Sequence, residues 1–235
     1  MSKDKVTVEI WSDVVCPYCL VGKRKLEQAI AKMNAQEQVH VVWHSFQLDP
    51  DFPMNFSMPV AHYLADKKGI PLDSIISMQD QLAHNGKTYG IDFQFGKSLS
   101  FNTLNVHRLI QWSKTVGKSN DLKEAFMVAL YTDGVDLSKS ENILKVVGNI
   151  GLDTAKAKEV LENNEFKIEV EQDIDQLKKM GVRGVPFFLI NKEMKISGAQ
   201  DDTIFENILS TALKNTKKEN NSANGDFCLP DGDCD

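Results

Sequence analysis

Strand-forming sequence lies near the two ends of this chain and is missing from the long stretch between them, so any sheet must join segments far apart in sequence. Val6, Val8 and Ile10 alternate with Thr7 and Glu9, the period of a half-buried strand, and the run stops at Ser12-Asp13. Val39 to Phe46 is rich in β-branched and aromatic residues and reads as a second strand, ended by Pro50 and Pro53. Strand character returns only at Val185 to Ile190. After a polar Asn191-Lys192 turn, Met194 to Ile196 completes an antiparallel hairpin before Gly198.

Helical periodicity fills the rest. After Pro17, the apolar residues Leu20, Leu26, Ala29, Ile30 and Met33 recur among charged ones, which predicts an amphipathic helix between the first two strands. Helices are expected at Val60 to Lys68, Leu72 to Gly86, Thr103 to Gly117, Leu122 to Asp133, Ser138 to Gly148, Asp153 to Asn163 and Glu165 to Met180, with no convincing strand among them. Ser138 with Glu141 matches a capping box, and Gly69, Gly86, Gly117, Gly148 and Gly181 read as stops. A last helix covers Thr203 to Lys214. The organisation is therefore α/β, with a core from 1–57 and 181–215 split by an all-helical insertion, 58–180, that has its own small core. Residues 216–235 read as a flexible tail.

At 42% hydrophobic residues over 235 positions, the chain can bury a substantial core without staples. Its formal charge of −6 offers no basic field, so nucleic acid and anionic membranes are excluded as partners. The opening MSKDKVTVEIW lacks the apolar stretch of about 7 to 15 residues of a secretory signal, and polar residues interrupt every later apolar run. A cytoplasmic protein is expected. Thiols there are kept reduced, so a close cysteine pair is more often catalytic or metal-binding than a staple.

Such a pair stands at Cys16 and Cys19, where the first strand gives way to the first helix. With Pro17 at the first helical position, Cys16 lies beside the unpaired N–H groups of the helix, which favour a thiolate. Thiols so placed commonly fall from about 8.5 to roughly 3.5–7.5. Cys16 is thus the expected exposed nucleophile and Cys19, one turn on, the sheltered resolver. Pro17 and Tyr18 between them tune the potential, and neither supplies a cation, so a moderate oxidant is expected. Lys23 and Arg24 are expected to be solvated. The rival reading is zinc held by Cys16, Cys19, Cys228 and Cys234. The second pair, with five residues between its cysteines, is spaced more widely than the usual knuckle.

In GVRGVPFFLIN, a Gly-Val-Pro leads directly into a strand, a setting in which a cis X-Pro bond is typically kept. Pro186 is the candidate, with the Val185 backbone left free to pair with an extended substrate. These segments carry a resemblance. SDVVCPYCLVGK, the helical insertion, NTLNVHRL at 102–109, GVRGVPFFLIN and ISGAQ at 196–200 together resemble the DsbA-family thioredoxin-fold oxidoreductases, specifically the FrnE-like branch, over residues 6 to about 214. The resemblance implies a thioredoxin-like fold with a large helical insertion, Cys16 as nucleophile, Cys19 as resolver and Pro186 as a cis-proline facing them. Related 2-hydroxychromene-2-carboxylate isomerases share the architecture but carry a serine at the nucleophile position.

The resemblance also makes Asn102, His107 and Arg108 candidates for orienting a substrate or thiol cofactor, and Gln200 a candidate lining residue. On an amphipathic helix such polar residues more commonly face solvent or cap a turn. In the tail, Pro230-Asp231-Gly232 is a strong turn signal that can bring Cys228 to Cys234 as a second redox pair, a passive clip or a metal contact. The expected activity is cytoplasmic thiol-disulfide exchange or isomerisation on protein or small-molecule thiols and disulfides. No cofactor is tightly bound, and glutathione or another thiol serves as redox partner. The alternatives are a glutathione-dependent isomerase or transferase of aromatic small molecules and a zinc-stabilised binding module. Oligomeric state is not legible.

Overall fold

The chain begins with a strand, a helix and a second strand: β1 (Val6–Ser12), α1 (Pro17–Lys32) and β2 (Val39–Ser45). There follow β3 (Ser57–Pro59), α2 (Val60–Lys68), α3 (Leu72–Gly86), β4 (Leu99–Phe101), α4 (Leu104–Lys114) and α5 (Ser119–Tyr131). The last part comprises α6 (Ser140–Asn149), α7 (Thr154–Glu162), α8 (Lys167–Lys179), β5 (Phe187–Ile190), β6 (Met194–Ser197) and α9 (Asp202–Ala223). This is a computed structural model, and it describes residues 5–223.

The main sheet has the order β2-β1-β5-β6. β1 and β2 are parallel because α1 carries the chain back across one face, whereas β5 and β6 form a hairpin antiparallel to β1. Asn191 and Lys192 at the hairpin tip have φ of 49° and 62°, the left-handed pair that a two-residue turn requires. Asn191 Oδ1 also accepts the Thr7 N–H at 2.9 Å, tying the turn to β1.

Alternation along β1 sorts its side chains onto two faces. Val6, Val8 and Ile10 pack with Leu26 and Ala29 of α1 and Phe205 and Leu209 of α9. Trp11, Phe187 and Leu189 pack on the opposite face with Leu177 of α8. The Trp11 indole donates to the Asp173 carbonyl at 2.9 Å, satisfying its buried N–H.

The insertion differs from expectation in four respects. It has no separate core: Val14, Cys16, Cys19 and Leu20 belong to the same buried cluster as Leu109, Phe126 and Leu130, so the insertion packs directly on the dithiol turn. It contains two strands, β3 and β4, paired antiparallel with Ser57 opposite Phe101. At three residues each they are too short to show a period. The expected Ser138 cap is displaced: α6 begins at Ser140, and the Ser138 N–H instead donates to Asp136 Oδ1 at 3.0 Å. Gly148 does not stop its helix, which runs on to Asn149, and Gly86 ends α3 in a right-handed conformation and not as a left-handed cap. Gly86 is required because a Cβ there would lie 2.6 Å from the Phe93 ring.

The C-terminal boundary also moves. α9 runs through Ala223, so residues 216–223 are helical where a flexible tail was expected. Thr216 is buried and its hydroxyl donates to the Ala212 carbonyl at 3.0 Å, which carries the helix past Lys214. Cys228 and Cys234 lie outside the described residues.

Candidate active site

The dithiol turn follows from the end of β1. The Cys16 N–H donates to the Asp13 carbonyl at 3.2 Å, closing a turn, and Cys16 then serves as the extended N-cap of α1 with Pro17 behind it. Cys19 N–H returns to the Cys16 carbonyl at 3.0 Å, which stacks the two side chains one helical turn apart. The two sulfurs are not joined by a disulfide.

The chain leading into β5 faces this turn, because Trp11 pairs with Phe187 and brings the preceding residues alongside the exit of β1. The Val185–Pro186 bond is cis. Cys16 Sγ lies 3.5 Å from the Val185 carbonyl oxygen. Close approach of α1 depends on Gly22, where a Cβ would stand 3.0 Å from the Phe188 ring and 3.3 Å from Pro186.

Cys16 is only 5% exposed and Cys19 2%. The exposed nucleophile foreseen from sequence is thus a nearly covered one, beside a half-exposed Tyr18. The proton distribution also differs from expectation. The hydrogen bond to Cys19, together with burial, holds the Cys16 thiol well above its ordinary value. Burial pushes Cys19 up too, but hydrogen bonds from Cys16 and Ser12 and the charge of Lys123 outweigh it and leave Cys19 lowered. The hydrogen bond between the sulfurs therefore favours ionising Cys19 before Cys16, whose Sγ lies between Cys19 and the Val185 carbonyl. The helix N-terminus alone does not decide which sulfur ionises, because the inner sulfur has more partners.

Lys123 of α5 is the cation whose charge helps lower Cys19. It is 1% exposed, with Nζ 5.0 Å above the Trp43 ring. Burial lowers its pKa to about 8, against the opposing pull of Cys19, Asp13 and Cys16. Asp13 is fully buried, accepts the Leu48 N–H at 2.8 Å and lies 3.1 Å from His107 Nε2. Lys23 and Arg24 were expected in solvent. Instead Lys23 is 3% exposed and bridges Glu27 at 2.5 Å and Glu124 at 2.8 Å, while Arg24 pairs with the same two carboxylates, so together they fasten α1 to α5.

A cavity of about 430 Å³ opens against the dithiol turn, lined in part by Cys16, Pro17 and Tyr18 on one side and by Leu64, Ile75 and Leu82 of α2 and α3 on the other. That volume lies in the range of small-molecule sites.

Of the residues foreseen for the site, Cys16, Cys19, Pro17, Tyr18, Val185 and Pro186 come together. Asn102, His107, Arg108 and Gln200 do not line the cavity beside Cys16 and are engaged in other contacts. Asn102 donates to the Pro50 and Phe52 carbonyls and accepts from Leu104 N–H and Gln47, which pins the loop before α4. His107 is fully buried against Asp13. Arg108, 1% exposed, donates to the Val160, Leu161 and Glu165 carbonyls and so caps the end of α7. Gln200 is exposed and donates to the Ser197 carbonyl at 2.7 Å, while its own carbonyl accepts from Lys25. Sequence reasoning missed Lys123, although it shares an i, i+3, i+4, i+7 stripe with Phe126, Met127 and Leu130, and a charge on such a stripe is a signal. Among the described residues, no group of three or more His, Cys, Asp or Glu side chains is placed to hold a metal ion.

A mixed sheet that sets a Cys-x-x-Cys helix start against a proline-led strand defines a thioredoxin-fold protein with a dithiol centre. The chain belongs to the family of DSBA-like thioredoxin domains, which matches residues 7–210. It is 24% identical over 217 residues to the uncharacterized protein YwbO of Bacillus subtilis, covering 89% of this chain and 98% of that one. The crystal structure of a probable DsbA oxidoreductase from Streptomyces coelicolor is similar at a TM-score of 0.84 and 29% identity, over 96% of this chain and 94% of that one. A 2-hydroxychromene-2-carboxylate isomerase shares the fold at a TM-score of 0.65 and 15% identity, over 93% of this chain and 100% of that one. These likenesses are consistent with the FrnE-like branch. Among the described residues, no helix is long and apolar enough to cross a membrane.

Proposed function

We propose that the protein is a cytoplasmic thiol-disulfide oxidoreductase that works through a mixed disulfide at Cys16. The observation that carries this reading is the position of Cys16 Sγ, 3.5 Å from the Val185 carbonyl and one helical turn from Cys19. A substrate disulfide approaching along the Val185 backbone meets the outer sulfur first. As Cys16 attacks, its proton passes along the hydrogen bond to Cys19. The substrate S–S bond breaks and one substrate sulfur leaves with the electron pair. Cys19 then loses that proton to water and attacks Cys16 Sγ, forming the protein disulfide and releasing the second substrate thiol. Run in reverse, the same steps oxidise a substrate dithiol. In the reductive direction glutathione or another small thiol restores the dithiol, and in the oxidative direction a small disulfide restores the protein disulfide.

The test is a trap. In Cys19→Ser, a substrate disulfide should leave an adduct at Cys16 that dithiothreitol releases. No adduct with any disulfide, protein or small, would end this reading.

A second reading, a glutathione-dependent isomerase or transferase of aromatic compounds, is favoured by the cavity beside Cys16. It predicts that Cys19→Ser retains full turnover of such a compound in the presence of glutathione, an outcome that dithiol exchange does not allow.

A further inference from the structure

Two hydrogen-bonding side chains in the wall of the cavity have been left without partners. Gln79 of α3 is 8% exposed, its Nε2 is buried, and its carboxamide makes no hydrogen bond among the described residues. Tyr131, at the end of α5, is 1% exposed and its hydroxyl is likewise buried and unpaired. Both line the cavity that Cys16 also lines. Orphaned buried groups of this kind cost roughly 1–3 kcal/mol each in an apolar setting, so a ligand that meets them gains what the empty site forgoes. The Tyr131 ring is already held edge-on by Phe93 and Phe95, at 5.4 and 5.8 Å.

The electrical setting narrows what can meet them. Tyr131 keeps its proton, since burial above all holds it well above its ordinary value, and so it donates. Two lysines of α2 line the cavity: Lys67 is engaged by Asp49 at 2.5 Å and by Tyr63 at 2.8 Å, and Lys68 is exposed to solvent. A carboxylate seated between Gln79 and Tyr131 would give up its hydration for two neutral donors, in the same cavity that Asp13 lines. A neutral carbonyl or carboxamide escapes that cost.

Resting on the thiol-exchange reading above, we propose that the cavity selects a small, largely apolar disulfide bearing a neutral carbonyl, with one half of the molecule seated between Gln79 and Tyr131 and its sulfur presented to Cys16. Cys16 Sγ bonds to that sulfur, the ligand S–S bond breaks, and the outer half departs as a thiolate with the electron pair. Attack by Cys19 releases the seated half. The ligand is reduced by two electrons to two thiols, and the protein dithiol is oxidised to a disulfide.

The probes are bis(4-carbamoylphenyl) disulfide and its di-p-tolyl analogue, in which a methyl replaces each carboxamide. Pre-reduced full-length protein is mixed with each in a single turnover, and the ratio of the two rates is divided by the ratio that dithiothreitol gives, which removes their difference in intrinsic reactivity. The proposal expects a corrected preference of about tenfold for the carboxamide, the worth of one or two hydrogen bonds made in place of buried orphans, and its loss in Gln79→Leu or Tyr131→Phe. Bis(2-hydroxyethyl) disulfide, too small to span the cavity, should react equally with wild type and both variants. If no disulfide oxidises the dithiol, the exchange reading itself fails. If bis(2-hydroxyethyl) disulfide reacts but the corrected preference is absent, or survives in both variants, the cavity assignment alone is overturned. A peptide disulfide that outpaces both aryl compounds and loses that advantage in Gln79→Leu would assign the cavity to a protein segment and overturn it as well.

Discussion

Cys16 Sγ and the Val185 carbonyl oxygen stand 3.5 Å apart, joined across 169 residues of sequence. The outer cysteine is a hydrogen-bond donor in this arrangement, which favours ionisation of Cys19 over Cys16. A direct consequence is that removing the inner sulfur frees the outer one. The hydrogen bond to Cys19 is the largest influence holding Cys16 up, so in Cys19→Ala the Cys16 thiol should ionise at lower pH than in wild type. The check is the rate of iodoacetamide alkylation at Cys16 followed across pH in both proteins. An unchanged midpoint would show that the two thiols do not share a proton.

Lys123 should set the potential. Its charge helps lower Cys19 from inside the insertion, so Lys123→Met should raise the pH at which thiolate absorbance appears in the reduced protein. It should also make the dithiol more reducing. Each tenfold loss in thiolate stabilisation corresponds to about 30 mV in a two-electron couple. Titration against glutathione measures the displacement, and its sign is the test: a more oxidising variant would remove Lys123 from the account.

Gly22 should tolerate no side chain. In Gly22→Ala the new methyl would meet the Phe188 ring at 3.0 Å and Pro186 at 3.3 Å. α1 must move away from β5 or the ring must shift, which costs roughly 1–3 kcal/mol for an overpacked contact. Thermal unfolding should reveal that loss, and single-turnover exchange should slow because Cys16 moves with α1 relative to Val185.

Arg108 separates a structural from a substrate role. Its guanidinium serves the carbonyls at the end of α7, so Arg108→Leu should lose roughly 2–4 kcal/mol of stability by leaving buried acceptors unpaired. Below its unfolding temperature, the variant should exchange with bis(2-hydroxyethyl) disulfide at the wild-type rate. A selective rise in KM for a larger substrate would return Arg108 to the site.

Local chemistry explains what was legible in the sequence. The strands β1, β2, β5 and β6 carry periodicity or punctuation of their own, and Cys16, Pro17 and Cys19 announce themselves by spacing at a strand-to-helix junction. Pro186 could be placed opposite them only through resemblance, because nothing local pairs Trp11 with Phe187. The buried partners of the polar residues were hidden for a related reason. His107 and Arg108 look like site residues or solvated ones on a helix, and only the tertiary positions of Asp13 and the α7 carbonyls show that each has a buried partner. β3 and β4 were lost to brevity. Lys23 was misplaced because the charge of Glu124, 101 positions on and 2.8 Å away, is invisible from α1 alone.

Asp173 offers the clearest pH dependence outside the site. From α8 it reaches across to β2, with Oδ1 2.6 Å from His44 Nδ1 and Oδ2 accepting the Ser45 N–H at 2.7 Å and the Gln111 carboxamide. Burial pushes its carboxyl up, but the His44 hydrogen bond and charge, the charge of Lys114 and the Ser45 N–H outweigh it and hold the folded value below the ordinary one. The unfolded chain therefore binds a proton near the usual carboxylate value of about 3.9, at a pH where the folded protein still does not. Stability from this group is fully present above that value and is lost as pH falls through the lower folded one. Asp173→Asn should destabilise the protein by roughly 1–3 kcal/mol at neutral pH, since the His44 contact and at least one donor lose a charged acceptor. The variant should also lose stability less steeply than wild type below about pH 4. Urea unfolding at a series of acidic pH values measures both slopes. Parallel slopes would mean that Asp173 carries a proton in the folded state, and the bridge between α8 and β2 would then be an ordinary hydrogen bond.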